Sequence, residues 1–346
     1  MNWIRTQRWW LTRVLVFPLH LLVFVIITFV LVRAMPADPV RELLGTNYTP
    51  QAYAKLKTAL GLDGSTWHQL VEYLKNLAHF DLGTSISTSL SVRSQIGSRL
   101  PNTVELSVLG LGLTIVASLI ASYVAVIHSR SVLGRIIRGY SAMAGALPEY
   151  VIAVIGLLVF YAFLHWSPPP LGLLSPGQAT PRTVTGFPLL DALIGGNLAA
   201  FGDEIHHLIL PAVVLAVANS ALLIKLLIVG LEEGLNAAPT RFRIATGSRR
   251  RTVLVSIYRR AAPPVVTMCG IMFGYMLGGV VILESLFGFT GVGAYAVDAV
   301  NSGDFIALQG FLLVVAALSM LVFLLTDLIN MAIDPRRRSA AAGAIQ

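Results

Sequence analysis

The chain is poor in charge and nearly devoid of cysteine. Only 12% of its 346 residues are Asp, Glu, Lys or Arg, about half the share of a soluble domain. With 55% hydrophobic residues it has too little polar surface to coat a water-soluble fold, so most of its surroundings are lipid. One cysteine, Cys269, excludes an internal disulfide framework and a cysteine-cluster metal site. No Gly-x-x-x-x-Gly-Lys-Ser/Thr run occurs, which removes a P-loop of the chain's own, and no His-Glu-x-x-His, which removes a zincin. His206-His207 is an adjacent pair. Neighbours on a helix point about 100° apart and chelate poorly. Gly83-Thr84-Ser85-Ile86-Ser87 offers hydroxyls with no His or acid pattern nearby, poor support for a serine hydrolase. The net charge of +8 does not point to nucleic acid, because the basic residues fall between apolar runs rather than along one polar face.

What is present is a series of long apolar runs. A bilayer core of roughly 30 Å takes about 20 apolar residues of helix. Six stretches qualify: Val14–Arg33, Thr103–Ile127, Gly139–Trp166 (bent or tilted around Pro148), Leu208–Leu231, Val265–Leu286 and Phe305–Ile333. The first is too long for a cleaved leader and reads as an uncleaved signal anchor. The fold class is therefore all-α and polytopic, with six transmembrane helices.

Arginine placement orients the bundle. Arg5, Arg8 and Arg13 precede the first span, and Arg130, Arg135 and Arg138 follow the second. Arg241, Arg243, Arg249, Arg250, Arg251, Arg259 and Arg260 follow the fourth, and Arg336, Arg337 and Arg338 close the chain. All fall on one side, so the positive-inside rule puts both termini in the cytoplasm. The expected divisions are a cytoplasmic N-terminus over 1–13, a first transmembrane helix over 14–35 and an extracytoplasmic helical segment over 36–102. A core of five transmembrane helices over 103–335 and a cytoplasmic tail over 336–346 follow.

The outer segment has its own helix signals. Thr49-Pro50 sets an N-cap before a first-turn proline, and Gly61 follows Leu60 as a stop. A second helix begins near Ser65 or Thr66, with Trp67, Leu70, Val71, Leu74 and Leu77 along one face. The proline-rich stretch from Ser167 to His207 reads as irregular, ordered only against its neighbours.

The inner loop 232–262 is more informative. Pro239 begins a helix, Gly247 suits a left-handed stop, and Ser248 caps a second helix, Arg249 to Arg260, that should end before Pro263-Pro264. Two short helices around a glycine, with seven arginines, exceed what orientation needs and predict a docking element for a partner. Four charges sit within or beside the apolar spans: Glu149, Lys225, Glu284 and Asp327. Each costs about 2.5–3.5 kcal/mol at a helix centre. Each is a candidate for a structural pair or for the transport pathway, and Lys225 with Asp327 is one possible pair.

Several blocks together resemble the B-type permease subunit of the dipeptide/oligopeptide/nickel ABC importers. They are Met35-Pro36-Ala37-Asp38-Pro39, Phe80-Asp81-Leu82-Gly83-Thr84-Ser85, Arg99-Leu100-Pro101-Asn102-Thr103-Val104-Glu105-Leu106, Leu210-Pro211-Ala212, the stretch Leu277 to Gly293, and Asp334-Pro335-Arg336. The resemblance covers about residues 12–338. It implies a type I importer permease fold (MetI-like) in a prokaryotic inner membrane. The implied partners are a second permease subunit, two ATP-binding subunits at the cytoplasmic face and an extracytoplasmic substrate-binding protein. It also implies no catalytic, cofactor or metal site on this chain, with ATP and Mg used by the partner ATPases. The family's Glu-Ala-Ala-x-x-x-Gly loop docks on the ATPase. Here Gly247 matches its glycine and Ile257 falls ten residues later, as in the pattern, within a coupling loop that includes Pro239, Arg241, Phe242, Arg243 and Ala245. The Glu-Ala-Ala positions read Arg241-Phe242-Arg243 instead. The implied cargo is a di- or oligopeptide or a related small solute. The rival from another class is an ion-coupled secondary transporter, and a membrane enzyme is third.

Overall fold

The computed structural model describes residues 2–34, 39–44, 48–59, 64–143, 145–146 and 148–333. The Met35–Asp38 part of the first block, the Gly61 stop, the Asp334-Pro335-Arg336 block and the tail 336–346 lie outside them. Every regular element described is helical.

The membrane-crossing frame consists of five helices long and apolar enough to span a bilayer. These are α1 (Asn2–Ala34), α5 (Val92–Ile127), α9 (Leu198–Asn236), α11 (Arg250–Phe287) and α13 (Phe305–Ile333). At 1.5 Å per residue, the 39 residues of α9 and 38 of α11 run well past a 30 Å core at their ends. Between α1 and α5 lie α2 (Pro39–Leu44), α3 (Pro50–Ala59) and α4 (Thr66–Ala78). Thr49 Oγ1 accepts from Ala52 N, and Ser65 Oγ accepts from His68 N, so both expected N-caps form. Helix α4 leans on the end of α1: Phe29 stacks on Tyr73, and Arg33 Nε donates to Gln69 Oε1. Its apolar face is narrower than its sequence spacing predicts, because Leu70 is buried while Trp67 stays 72% exposed.

Two expectations are corrected. The third apolar stretch is not one helix from Gly139 to Trp166. Helix α6 (Val132–Ala142) ends early, and Pro148 precedes α7 (Glu149–Gly156), which continues as a π-helical segment, Leu157–Phe163. A proline disfavours αR backbone in the residue before it, which fits a helix that begins after Pro148 rather than one that runs through it. Residues 149–163 form a shorter apolar helix, about 22 Å long at helical rise. Conversely, the double proline does not stop a helix. α11 runs unbroken from Arg250 through Pro263-Pro264 to Phe287, and Arg249 rather than Ser248 stands at its N-cap.

An interior proline costs roughly 3 kcal/mol, so something must offset that cost in α11. On α9, Gly230 and Gly234 let α11 approach closely. A Cβ on Gly230 would meet the Ala261 Cβ at 2.9 Å, and one on Gly234 the Ile257 Cγ2 at 2.8 Å. Small residues four apart are the usual device for close helix contact in lipid. Ile257, Ala261, Pro263 and Val265 are all buried, so α11 is anchored on both sides of the break. The carbonyls that lose partners belong to Arg259 and Arg260, both exposed residues. Beyond the prolines, Asn330 Nδ2 donates to Thr267 Oγ1, which donates to the Pro263 carbonyl, tying α13 to the same turn.

The central core lies where α5, α7, α9 and α11 meet, around Leu106, Ala153, Leu215, Met276, Val280 and Leu283. A second cluster joins α5 and α13 to α12 (Val292–Asn301) through Val92, Ile96, Tyr295 and Phe311. Two short helices complete the element order, α8 (Pro188–Ile194) and α10 (Ala238–Ala245), at opposite ends of α9.

Candidate functional site

The arginine-rich end of the bundle holds the predicted loop. Pro239 sits in the first turn of α10, where its missing N–H is no loss. After buried Thr240 the side chains turn outward: Arg241, Phe242, Arg243, Ile244 and Ala245 are exposed, with Phe242 68% accessible. α10 ends in a paired stop. Gly247 N donates to Ile244 O and Ser248 N to Arg243 O, the Schellman arrangement, with Gly247 at φ +74°. No atom crowds the glycine, so only its backbone conformation demands the residue. Ile257 does a different job. It is buried against Leu231, Val253 and Ala261 and clamps the base of the loop, whereas Arg241 to Ala245 form its free face. Arg138 Nη2 joins α6 to this end by donating to Glu232 Oε1 at 2.7 Å and to the Ala125 carbonyl.

The four singled-out charges occupy different surroundings. Glu284, 1% exposed, accepts from Thr103 Oγ1 at 2.5 Å, Gly293 N at 2.8 Å and Ala294 N at 3.0 Å. It thus caps the first turn of α12 and ties α5, α11 and α12 together. Thr103 Oγ1 also accepts from Val292 N. This explains the Gly-rich run after α11: Gly288 reverses the chain at φ +70°. A side chain on Gly291 would overlap the Glu284 carboxylate, and one on Gly293 would overlap Val281 Cα. Glu149, at the start of α7, accepts from Asn219 Nδ2 at 2.8 Å through Oε1. Its Oε2 is buried with no partner among the described residues and lies over Gly279, where any Cβ would collide with it. Lys225 is exposed on α9. Asp327 and His20 line an apolar groove of about 660 Å³ between α1 and α13. No Lys225–Asp327 ion pair forms among the described residues.

At the opposite end, the hydroxyl run finds an acid that the sequence placed far away. Asp304 Oδ2 accepts from Ser85 Oγ at 2.6 Å, Ser87 Oγ at 3.0 Å and Ser87 N at 3.1 Å, and its Oδ1 accepts from Ala307 N at 2.9 Å. The carboxylate pins the turn before α5 to the start of α13. Burial pushes its pKa up, but the bonds from Ser85, Ala307, Ser87 and Ile86 outweigh that and hold it below the usual range. His206 and His207 point apart: His206 Nε2 pairs with the Trp166 carbonyl and His207 Nδ1 with the Asp203 carbonyl. Among the described residues, no group of three or more His, Cys, Asp or Glu side chains is placed to hold a metal ion.

The described residues form a frame of membrane-length helices with an outward-facing helix at one end. Sequence comparison agrees: residues 94–339 match the family described as binding-protein-dependent transport system inner membrane component, and residues 6–107 match that family's N-terminal region. The chain belongs to this family of ABC-importer permeases. It is 30% identical to the dipeptide transport system permease protein DppB of Alkalihalophilus pseudofirmus, over 90% of this chain and 93% of the relative. It is 31% identical to the di/tripeptide transport system permease protein DppB of Pseudomonas aeruginosa, with the same coverage. The Escherichia coli dipeptide permease DppB is 29% identical, also over 90% of this chain and 93% of the relative.

Two outcomes follow from the buried carboxylates. Glu284→Ala leaves three donors without their acceptor, so it should cost about 3 kcal/mol or more, read as a fall in the unfolding midpoint of the purified protein. Glu284→Gln, which keeps one acceptor oxygen, should cost less. Asp304 has a folded pKa below its unfolded value near 3.9. Its contribution is therefore fully present above about pH 4 and lost as pH falls through the depressed folded pKa. Hydrogen exchange at Ser85–Thr88 should rise in Asp304→Asn relative to wild type at pH 6, and the difference should shrink at pH 3.

Proposed function

We propose that the chain is the first transmembrane subunit of an ATP-driven peptide importer, in the inner membrane of a prokaryote. The helix of residues 149–163 serves as a sixth, short span, both termini face the cytoplasm, and the segment of α2–α4 lies outside. A second permease completes the pore, two ATP-binding subunits bind the cytoplasmic face, and an extracytoplasmic binding protein delivers di- or oligopeptides. The near full-length likeness to permeases named for dipeptides and tripeptides supports this cargo.

The observation that carries the mechanism is α10. It presents Phe242 and Ile244 among Arg241 and Arg243, an apolar tip with a basic rim, as an interface core and rim require. It is joined by the Gly247 stop to a helix that reaches the far end of the bundle without a break. A push on α10 by a closing ATPase pair is therefore transmitted along α11, seated on Gly230 and Gly234, toward Glu149, Gly279 and the Glu284 junction. Lys225, exposed inside an apolar helix, belongs to the pathway or to the facing permease. Asp327, near the inner end of α13, is assigned no step in transport. No cofactor is needed on this chain, and ATP and Mg act in the partner subunits.

Affinity purification of the tagged chain in mild detergent should recover a Walker-type ATPase and a second multi-span permease. Peptide uptake by the reconstituted complex should stop when the Walker lysine of the ATPase is replaced. Isolation of the chain alone, with uptake driven by a proton gradient, would falsify the proposal. Gly247→Val forces a β-branched residue to φ +74°, costing roughly 1–2 kcal/mol and re-aiming α10. Membrane insertion should stay normal while ATPase co-purification drops and hydrolysis uncouples from uptake. Gly247→Asn should be milder, since Asn tolerates positive φ.

A further inference from the structure

At the end of the bundle opposite α10, a cavity of about 420 Å³ opens between the start of α5, the loop 173–186, α8 and the start of α9. Its size falls within the range of small-ligand pockets. Asp191 and Glu204 line it with Ser98 and Asn102, and the Glu105 carboxylate lies close enough to Glu204 to act on it electrostatically. The acids are not alike. Asp191 accepts from Thr185 N, Thr185 Oγ1 and Gly186 N, and so shapes the turn into α8. Glu105 accepts from Leu189 N at 3.1 Å. Asp203, the residue before Glu204 on α9, is held by Ser175 and faces His207.

Glu204 has none of this. Its side chain is 1% exposed, and neither carboxylate oxygen has a hydrogen-bond partner among the described residues. No Lys, Arg or His forms an ion pair with Glu105, Asp191 or Glu204 among those residues. A buried carboxylate without donors is costly, and neighbouring carboxylates of the same sign make it more so. The missing element is a compact cation with several donors. An ammonium group has a full positive charge and three N–H bonds. Among the described residues these carboxylates are not grouped closely enough to hold a metal ion.

We infer that this cavity is a subsite for the amino-terminal ammonium group of a peptide entering the pore, with Glu204 as its acceptor and Asp191 and Glu105 supplying the negative field. This rests on the peptide-importer reading and its orientation. Ser98 and Asn102, on the α5 wall, are placed to meet the peptide's own polar groups.

The test uses the assembled transporter and its binding protein in proteoliposomes, with a radiolabelled dipeptide and its N-acetyl derivative. A water-soluble carbodiimide joins a carboxylate to any amine resting against it, and mass spectrometry locates the amide. A dipeptide adduct on Glu204, absent with the acetylated peptide, is expected. ATP-driven uptake should fall about tenfold in Glu204→Gln, the worth of one charge-assisted bond, and less in Glu204→Asp. An adduct joining Glu204 to a lysine of the binding protein instead would mean that the pocket docks that protein, and the cargo assignment fails. Wild-type uptake in Glu204→Gln with no adduct at Glu204 overturns the subsite while the importer reading stands. A wild-type complex that takes up no peptide at all overturns the importer reading, and the subsite with it.

Discussion

The bundle depends on one buried carboxylate. Glu284 leaves α11 near its end and collects donors from α5 and from the first turn of α12, so three elements separated by up to 190 residues in sequence share one acceptor. Moving a charge into such a site is costly unless its lone pairs are filled by well-placed donors. Filled, it fixes the register of each helix against the others. The glycines at 291 and 293 exist to let that carboxylate and the α11 backbone come close. The run that identifies the family is thus a single packing solution. Gly291 and Gly293 answer to Glu284, Gly288 makes the reversal, and Gly279 makes room for Glu149.

A second constraint acts at the other end of α11. Long straight helices transmit displacement; hinged ones absorb it. Two consecutive prolines would ordinarily supply a hinge. Here the contacts of Ile257 and Ala261 with the two glycines of α9, and the bridge from Asn330 through Thr267, hold the helix on both sides of the prolines. The proposed coupling from α10 to the pore needs this continuity. α7, by contrast, begins after Pro148 and puts Glu149 against Asn219 and Gly279. In membranes, non-helical backbone is tolerated where protein or water covers it.

The two ends of the molecule carry opposite charge. Arginines crowd the α10 end, and Glu105, Asp191, Asp203 and Glu204 gather at the other. The first group is exposed and suited to contact with a partner surface. The second is built into the walls of a cavity, where low dielectric strengthens every interaction and a single unpartnered oxygen has large consequences.

Local chemistry read from the sequence was sufficient wherever one turn of chain settles the matter. Thr49 and Ser65 cap their helices, Pro239 opens α10, Gly247 closes it, and Phe305 to Ile333 is a helix with those limits. These features rest on backbone conformation and apolar length, both local properties. Tertiary structure decided what depends on a neighbour from elsewhere in the chain. It carried α11 through two prolines, with Ile257 and Ala261 seated on the glycines of α9, and it divided the third apolar stretch into α6, ending at Ala142, and α7, beginning at Glu149. It also gave the serines at 85 and 87 their acid from residue 304, and set Asp327 in the groove beside α1. It alone brought Glu105 beside Glu204, and it put Glu204 on α9, where the sequence read an irregular stretch. Whether a carboxylate is a cap, a clamp or an empty site is set by the donors within 3 Å of it, and those donors come from distant segments.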